Sequence, residues 1–294
     1  MHTYPSLPRV ENAPDALLQD GHLWILEKVD GAHLRFQLRD TGVIRFGDRD
    51  RVYMDPAEIP EPYRHAVRHV RERLDREALR NAASDVEDVV FFGEATHRHT
   101  IDYDWDRTPS FLGFDVWSAA ADGFLPPDSV ETILEKLGLD AVHAVDREVR
   151  ARDFDPDSYA IPGSAYYDGP AEGVVILDKA GHRGMIQHPE FRTGSDSGSA
   201  PDSVSDSAPG GPVSDRLDAD AAVDRFVTHR RFETIATRLA ETDREVTFDA
   251  LYDRVLEDVA RRQHHRLYAH PRPVDLDAFR AVVAARTRRF LDDR

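Results

Sequence analysis

Short apolar runs, several of them β-branched, recur through the first two-thirds of the chain, and that pattern predicts strands. His22 to Leu26, Leu34 to Leu38 and Val43 to Phe46 form one group. Val89 to Phe92, Phe111 to Trp117 and Gly173 to Leu177 form another. Between the groups the period changes. Tyr63, Val67, Val70 and Leu74 share one side at helical spacing and predict a single helix over 62–81. Ser129 is placed to N-cap a second helix running to Leu137. Residues 193–215 are almost wholly Gly, Ser, Asp and Pro. Such a segment buries too little surface to offset its ordering entropy, so a flexible acidic linker or disordered loop is expected. Helical spacing then returns. Ala222, Phe226, Phe232, Ile235 and Leu239 predict one helix over 218–240, and Thr247 caps a second that carries Leu251, Val255, Leu256 and Val259. Pro271 and Pro273 interrupt the chain, and Asp275 opens a third helix with Leu276, Phe279, Val282, Val283 and Phe290. The expectation is an α+β domain over 1–192, a linker over 193–215 and a three-helix domain over 216–294, with no internal repeat.

Composition narrows the setting. The 294 residues carry 38 Lys and Arg against 55 Asp and Glu, a formal charge of −17, and lysine is nearly absent. A charge of that size opposes compaction by self-repulsion, and molar salt removes the penalty by cutting the Debye length to roughly 3 Å. A halophile's cytoplasm fits this balance; an ordinary acidic protein is the alternative. Acidity alone does not exclude a nucleic-acid substrate, because counterion release is weak in high salt and local arginines can still line a groove. The chain has no cysteine, which excludes disulfides and thiolate metal sites. The polar, proline-bearing start does not resemble a secretory signal, and no apolar run approaches the roughly 20 residues of a membrane span. A soluble cytoplasmic protein without membrane contact is expected.

Against this scarcity Lys28 stands out, in Glu27-Lys28-Val29-Asp30-Gly31 between two expected strands. A lysine amine attacks phosphorus only when unprotonated, so its ordinary pKa near 10.4 must be lowered by burial, cations or metal. Gly31 would let a phosphate approach the backbone closely. Read alone, the same residues also describe a surface lysine in a tight turn.

Four further segments follow in order. Arg45-Phe46-Gly47 lies on a strand after a hairpin, with Arg49 as a competing arginine. Phe91-Phe92-Gly93-Glu94 ends an apolar strand on a carboxylate. Phe111-Leu112-Gly113-Phe114-Asp115-Val116-Trp117 presents an aromatic ring on a strand, and Glu172-Gly173-Val174-Val175-Ile176 opens an apolar strand with a carboxylate. Each has an ordinary structural explanation: an exposed arginine, a strand-end cap, core packing, a solvated carboxylate. Together with Glu27 to Gly31 they resemble motifs I, Ia, III, IIIa and IV of the covalent nucleotidyltransferases. The nearest likeness is to ATP-dependent RNA ligases of the nick-sealing, editing type, over roughly residues 24 to 192, and the stretch His99 to Trp105 is similar to stand-alone ligases of that type.

The resemblance implies an ATP-grasp-like nucleotidyltransferase domain with antiparallel sheets and an appended helical domain. It implies that Lys28 takes AMP from ATP with Mg²⁺ or Mn²⁺ present, passes it to a 5′-phosphate end, and that a 3′-hydroxyl then seals an RNA strand. Asp30 would orient the nucleophile or a metal-bound water, and Glu27 would lie near the adenine edge. Gly31 and His33 complete the motif I region, where the family often has asparagine in place of His33. Arg45 and Glu94 would contact ribose or phosphate, Phe114 would stack on the purine, and Glu172 would help bind the metal. The implied partner is RNA, as a nicked duplex or an RNA/DNA hybrid, and the implied state is a monomer. One motif departs from the pattern. Where motif V places lysines, this chain has Met185 and Gln187, leaving Arg183 or Lys179 to supply charge to the phosphates. That departure keeps two alternatives open: a capping-type guanylyltransferase, and a ligase-like protein that binds RNA ends without catalysis. His97 and His99 share a strand face and suggest a metal or an RNA-facing pair. The basic residues Arg261, Arg262, His264, His265, Arg266, Arg286, Arg288 and Arg289 suit either RNA phosphates or surface salt bridges.

Overall fold

A computed structural model describes residues 1–192, 218–242, 244–268 and 274–294. The expected linker at 193–215 and the break at Pro271 and Pro273 lie outside the described residues. Two compact units emerge. One holds residues 1–96 and 101–192; the other holds 97–100 together with the described residues from 218 onward.

The first unit is built on two antiparallel sheets. After a short helix α1 (Ala16–Gln19) the chain forms β1 (His22–Lys28), β2 (Ala32–Leu38), β3 (Ile44–Gly47) and β4 (Val52–Tyr53). Helices α2 (Arg64–Arg73) and α3 (Arg76–Ala82) precede β5 (Val89–Ala95), β6 (Phe111–Ser118) and β7 (Gly123–Phe124). Then come α4 (Pro127–Lys136), β8 (Ala144–Arg150), β9 (Gly173–Asp178) and β10 (Arg183–Gln187). The smaller sheet has the order β10-β9-β1-β8 and the larger β4-β3-β2-β5-β6-β7.

Period-2 alternation assigns the faces of the larger sheet. Leu34, Phe36 and Leu38 of β2 join Ile44, Phe46, Phe91 and Val116 in a core closed by Val67 and Val70 of α2 and Leu134 of α4. His33, Arg35 and Gln37 therefore face the other way, toward the smaller sheet. There a second cluster joins the two sheets: Trp24 and Leu26 of β1 and Leu177 of β9 pack with Leu112 of β6, Ile101, Tyr103 and Trp105.

Three helix expectations need correction. The helix expected over 62–81 is two helices, because the chain turns out of αR at Leu74 and Asp75 caps α3 through Ala78 N. Ser129 does not cap α4; the helix starts at Pro127, and Ser129 lies inside its first turn. The helix expected over 218–240 is also two, α5 (Ala219–Phe226) and α6 (His229–Glu241), separated where Thr228 caps α6 through Arg231 N. With α7 (Phe248–Arg262), α8 (His264–Leu267) and α9 (Leu276–Asp292) the second unit exceeds the three helices expected. Thr247 and Asp275 do cap α7 and α9. Val223, Phe232, Leu251, Val255, Phe279 and Val283 form its core. The loop 97–100 belongs to this unit: Arg98 N donates to the carbonyl of Arg261, and His265 N donates to that of Arg98. Among the described residues no helix is long and apolar enough to cross a membrane.

Candidate active site

Lys28 is the last residue of β1, in register with Gly173 of β9, which in turn faces Gln187 of β10. Its Nζ lies 2.5 Å from Oε1 of Glu172, the residue just before β9. Both side chains are largely shielded, 24% and 12% exposed, so the pair is stronger than a surface contact. Amine and carboxylate, 144 positions apart in the chain, meet because β1 and β9 are antiparallel neighbours.

The turn after Lys28 is held by side chains. Asp30 is 8% exposed; its carboxylate accepts from Ile101 N at 2.8 Å, and its own N–H donates to the Tyr103 hydroxyl at 2.7 Å. Asp30 thus fixes the path from β1 into β2. Gly31 follows where no side chain fits: a Cβ would come within 2.6 Å of the Ala95 carbonyl and 2.9 Å of Glu94 Cγ. That close approach lays Glu94 over the turn, and Glu94 pairs in register with His33. Lys28, Gly31, His33, Glu94 and Glu172 are therefore grouped where the two sheets meet.

His33 is buried and its Nε2 has no hydrogen-bond partner. Burial pushes its pKa down to about 3, with Arg49 and Arg35 adding in the same direction, so the ring is neutral. Phe114 of β6 is half-buried, with its ring centroid 5.8 Å from that of His33. Glu27, 2% exposed, does not present its carboxylate freely. It accepts from Ser164 Oγ at 2.5 Å and Ala165 N at 2.9 Å, and burial raises its pKa despite those bonds. Arg45 lies on the cleft side of β3, opposite Gln37.

The residues expected to stand in for the motif V lysines all have partners within the protein. Arg183 sits at the far end of β10, opposite Leu177, four residues from the position aligned with Lys28. Its guanidinium is buried against Asp115 at 2.8 Å and lies 4.8 Å over the Tyr4 ring, so its charge is already matched. Lys179 pairs with Glu148 at 2.7 Å and Asp128 at 3.1 Å. Gln187 is aligned with Lys28, but its Nε2 donates to the Phe191 carbonyl at 2.9 Å. His97 and His99 lie in a loop rather than on a strand; among the described residues no group of three or more His, Asp or Glu could hold a metal, and the His97 and His264 ring centroids lie 3.9 Å apart, tilted by 30°, within the second unit.

The N-terminal segment went unread in the sequence. His2 stacks flat on Trp117 at 4.3 Å, Tyr4 meets the edge of Phe114 at 5.2 Å, and the Pro8 carbonyl accepts from Met185 N. Its residues span the ground between the larger sheet and the edge of β10. Nothing in its polar, proline-rich composition marks that role.

The fold and this grouping define a two-sheet domain with a lysine-carboxylate pair at its mouth. The RNA ligase family model matches residues 21–188, and the chain belongs to the RNA ligase family. Among solved structures it is similar to Naegleria gruberi RNA ligase with PPi, at 16% identity and TM-score 0.50, over 65% of this chain and 57% of that one. A point mutant of the same ligase with ATP and Mn aligns at 14% identity and TM-score 0.51, again over 65% and 57%. An archaeal ATP-dependent RNA ligase aligns at 18% identity and TM-score 0.47, over 65% of this chain and 49% of that one. The chain thus spans roughly half of these structures. A search of curated proteins returned no match.

Proposed function

We propose that this chain is an ATP-dependent RNA ligase that works through a lysyl-AMP intermediate. The observation that carries the reading is the Lys28–Glu172 pair beside Gly31 and Glu94, where the two sheets meet. In the first step the Lys28 amine forms a bond to the α-phosphorus of ATP, and the bond to pyrophosphate breaks. In the second, a 5′-phosphate oxygen of the strand takes AMP and frees the lysine. In the third, a 3′-hydroxyl attacks that 5′-phosphorus, forms the phosphodiester and releases AMP. All three are in-line displacements, so the protein contributes mainly position and charge.

The Lys28–Glu172 contact stabilises the ammonium, which is not the nucleophile. Lys28 must lose a proton before it reacts, and Glu172 must release it. A divalent cation fits that need. Magnesium is commonly held by one or two carboxylates plus substrate phosphates, so Glu172 suffices as the protein's main ligand. When bound, such a cation neutralises developing phosphate charge and lowers the pKa of the neighbouring amine. Asp30 acts through the backbone by holding the turn that aims Lys28. Phe114 offers a half-buried ring face for a purine.

The halophilic composition argues for assay in concentrated KCl. Incubation with α-labelled ATP and Mg²⁺ should give a covalent AMP adduct that Lys28→Ala abolishes while circular dichroism shows an intact fold. An adduct retained by Lys28→Ala would sink the assignment, and label from GTP instead would indicate guanylyl transfer. A second reading, RNA-end binding without catalysis, draws on Met185 and Gln187 and on the committed charges of Arg183 and Lys179. It predicts RNA affinity with no adduct from either nucleotide.

A further inference from the structure

Arg35 is a buried cation that the fold leaves without an ionic partner. Its side chain, 1% exposed, is among the largest fully buried ones in the described residues. Nη1 donates to the main-chain carbonyl of His2 at 2.7 Å, and Nε has no hydrogen-bond partner. Among the described residues no carboxylate forms an ion pair with it; Asp48 and Asp50 act on it only through space. Buried charges are normally paired, because desolvation otherwise disfavours them strongly.

The surroundings make room for this cation and concentrate charge of the same sign. Across the sheet lies Gly47, where a Cβ would come within 3.2 Å of Arg35 Nε. Arg45 shares the face, two residue pairs along β3. The terminal amine of Met1 is held below its ordinary pKa first by burial and then by Arg35, Arg45 and Arg39. Several positive groups thus converge in a chain whose net charge is −17. Convergence of like charges is costly unless an anion completes it. The place is also suitable. His33 pairs with Glu94, and Arg35 is two residues further along β2, about 7 Å away.

We infer that Arg35, with Arg45 beside it, binds a phosphate of the polynucleotide strand, and that the His2 carbonyl stands where a phosphate oxygen would sit. The guanidinium fork suits such oxygens: Nε, without a partner, lies on the edge it shares with Nη2, and Nη1, now on the His2 carbonyl, lies at the end of the fork. The N-terminal segment must yield its carbonyl contact when the strand arrives. The identity of the anion as a strand rests on the ligase reading; the need for an anion at Arg35 does not.

The test is Arg35→Met in the full chain, with Arg35→Lys alongside. Three quantities are read: the thermal midpoint, the affinity for a 5′-phosphorylated RNA oligonucleotide across a KCl series, and AMP labelling by ATP alone. Removing an unpaired buried cation should leave the midpoint of Arg35→Met unchanged or higher. RNA affinity should fall about tenfold at the lowest salt, and the salt slope should flatten by about one phosphate contact. Arg35→Lys should recover part of the affinity. A lowered midpoint with unchanged RNA affinity would make Arg35 structural and overturn the proposal. A fall in ATP labelling that matches the loss of RNA affinity would assign the phosphate to ATP and overturn the strand assignment. If neither wild type nor variant takes label while RNA affinity still drops, the ligase chemistry fails and the phosphate site stands.

Discussion

At the scale of single residues, the site depends on side chains that hold backbone as much as on those that face substrate. Asp30 illustrates this: its carboxylate accepts the Ile101 N–H in a buried setting. Asp30→Ala leaves that donor unsatisfied, and calorimetry should show a loss of about 1–3 kcal/mol. AMP labelling should fall further than stability alone explains, because the turn that aims Lys28 loosens. His33 gives a pH prediction. Its folded pKa, about 3, lies below the ordinary value of 6.5. The depressed value means that the unfolded state binds the proton first. The contribution of His33 is therefore present above pH 6.5 and lost progressively as pH falls toward about 3. The thermal midpoint of His33→Gln should decline less steeply over that window than that of the wild type. Parallel curves would refute the assignment of a neutral buried ring.

At the scale of elements, two glycines of the larger sheet set how closely its parts approach. A Cβ on Gly93 would meet the Phe111 ring at 2.3 Å and the Leu112 carbonyl at 2.5 Å. One on Gly113 would meet Leu134 of α4 at 2.6 Å. Both alanine variants should be destabilised, by about 1–3 kcal/mol from overpacking. Gly93→Ala should be the worse, because a rigid ring and backbone give way less readily than the end of a leucine. Denaturant unfolding would rank them. The same elements indicate what the sequence could reveal. The central strands were legible because Leu34, Phe36 and Leu38 alternate with polar neighbours, and the order of Lys28, Glu94, Phe114 and Glu172 marked the candidate site. The two helix breaks were not legible, since apolar spacing runs on through Leu74 and Val227 and only the caps Asp75 and Thr228 interrupt it. Strand β8 was missed because it is mostly exposed and carries Asp146, Arg147, Glu148 and Arg150. Arg35 was hidden by the alternation that revealed its strand: a polar residue at that position reads as solvent-facing until the N-terminal segment is seen to reach it through the His2 carbonyl. The pairing of Arg183 with Asp115 depends on β10 and β6 meeting across two sheets, which local spacing cannot encode.

At the scale of the whole molecule, charge sets the conditions under which the protein is stable. A net −17 opposes compaction through long-range repulsion, which added salt screens. The thermal midpoint should rise as KCl increases from about 0.1 M to 1 M, where the Debye length falls from roughly 10 Å to 3 Å. A midpoint flat in KCl would count against salt adaptation. The helical unit carries a different consequence. It takes residues 97–100 from between β5 and β6, and both backbone hydrogen bonds of Arg98 end on its helical region, at Arg261 and His265. On the ribosome this strap is made first, and the helices that receive it, from residue 218 onward, emerge more than a hundred residues later. Until then the peptide groups of Arg98 must find water or a temporary partner. A C-terminal fragment expressed alone would lack the strap altogether, so no single cut of the chain releases the helical unit whole.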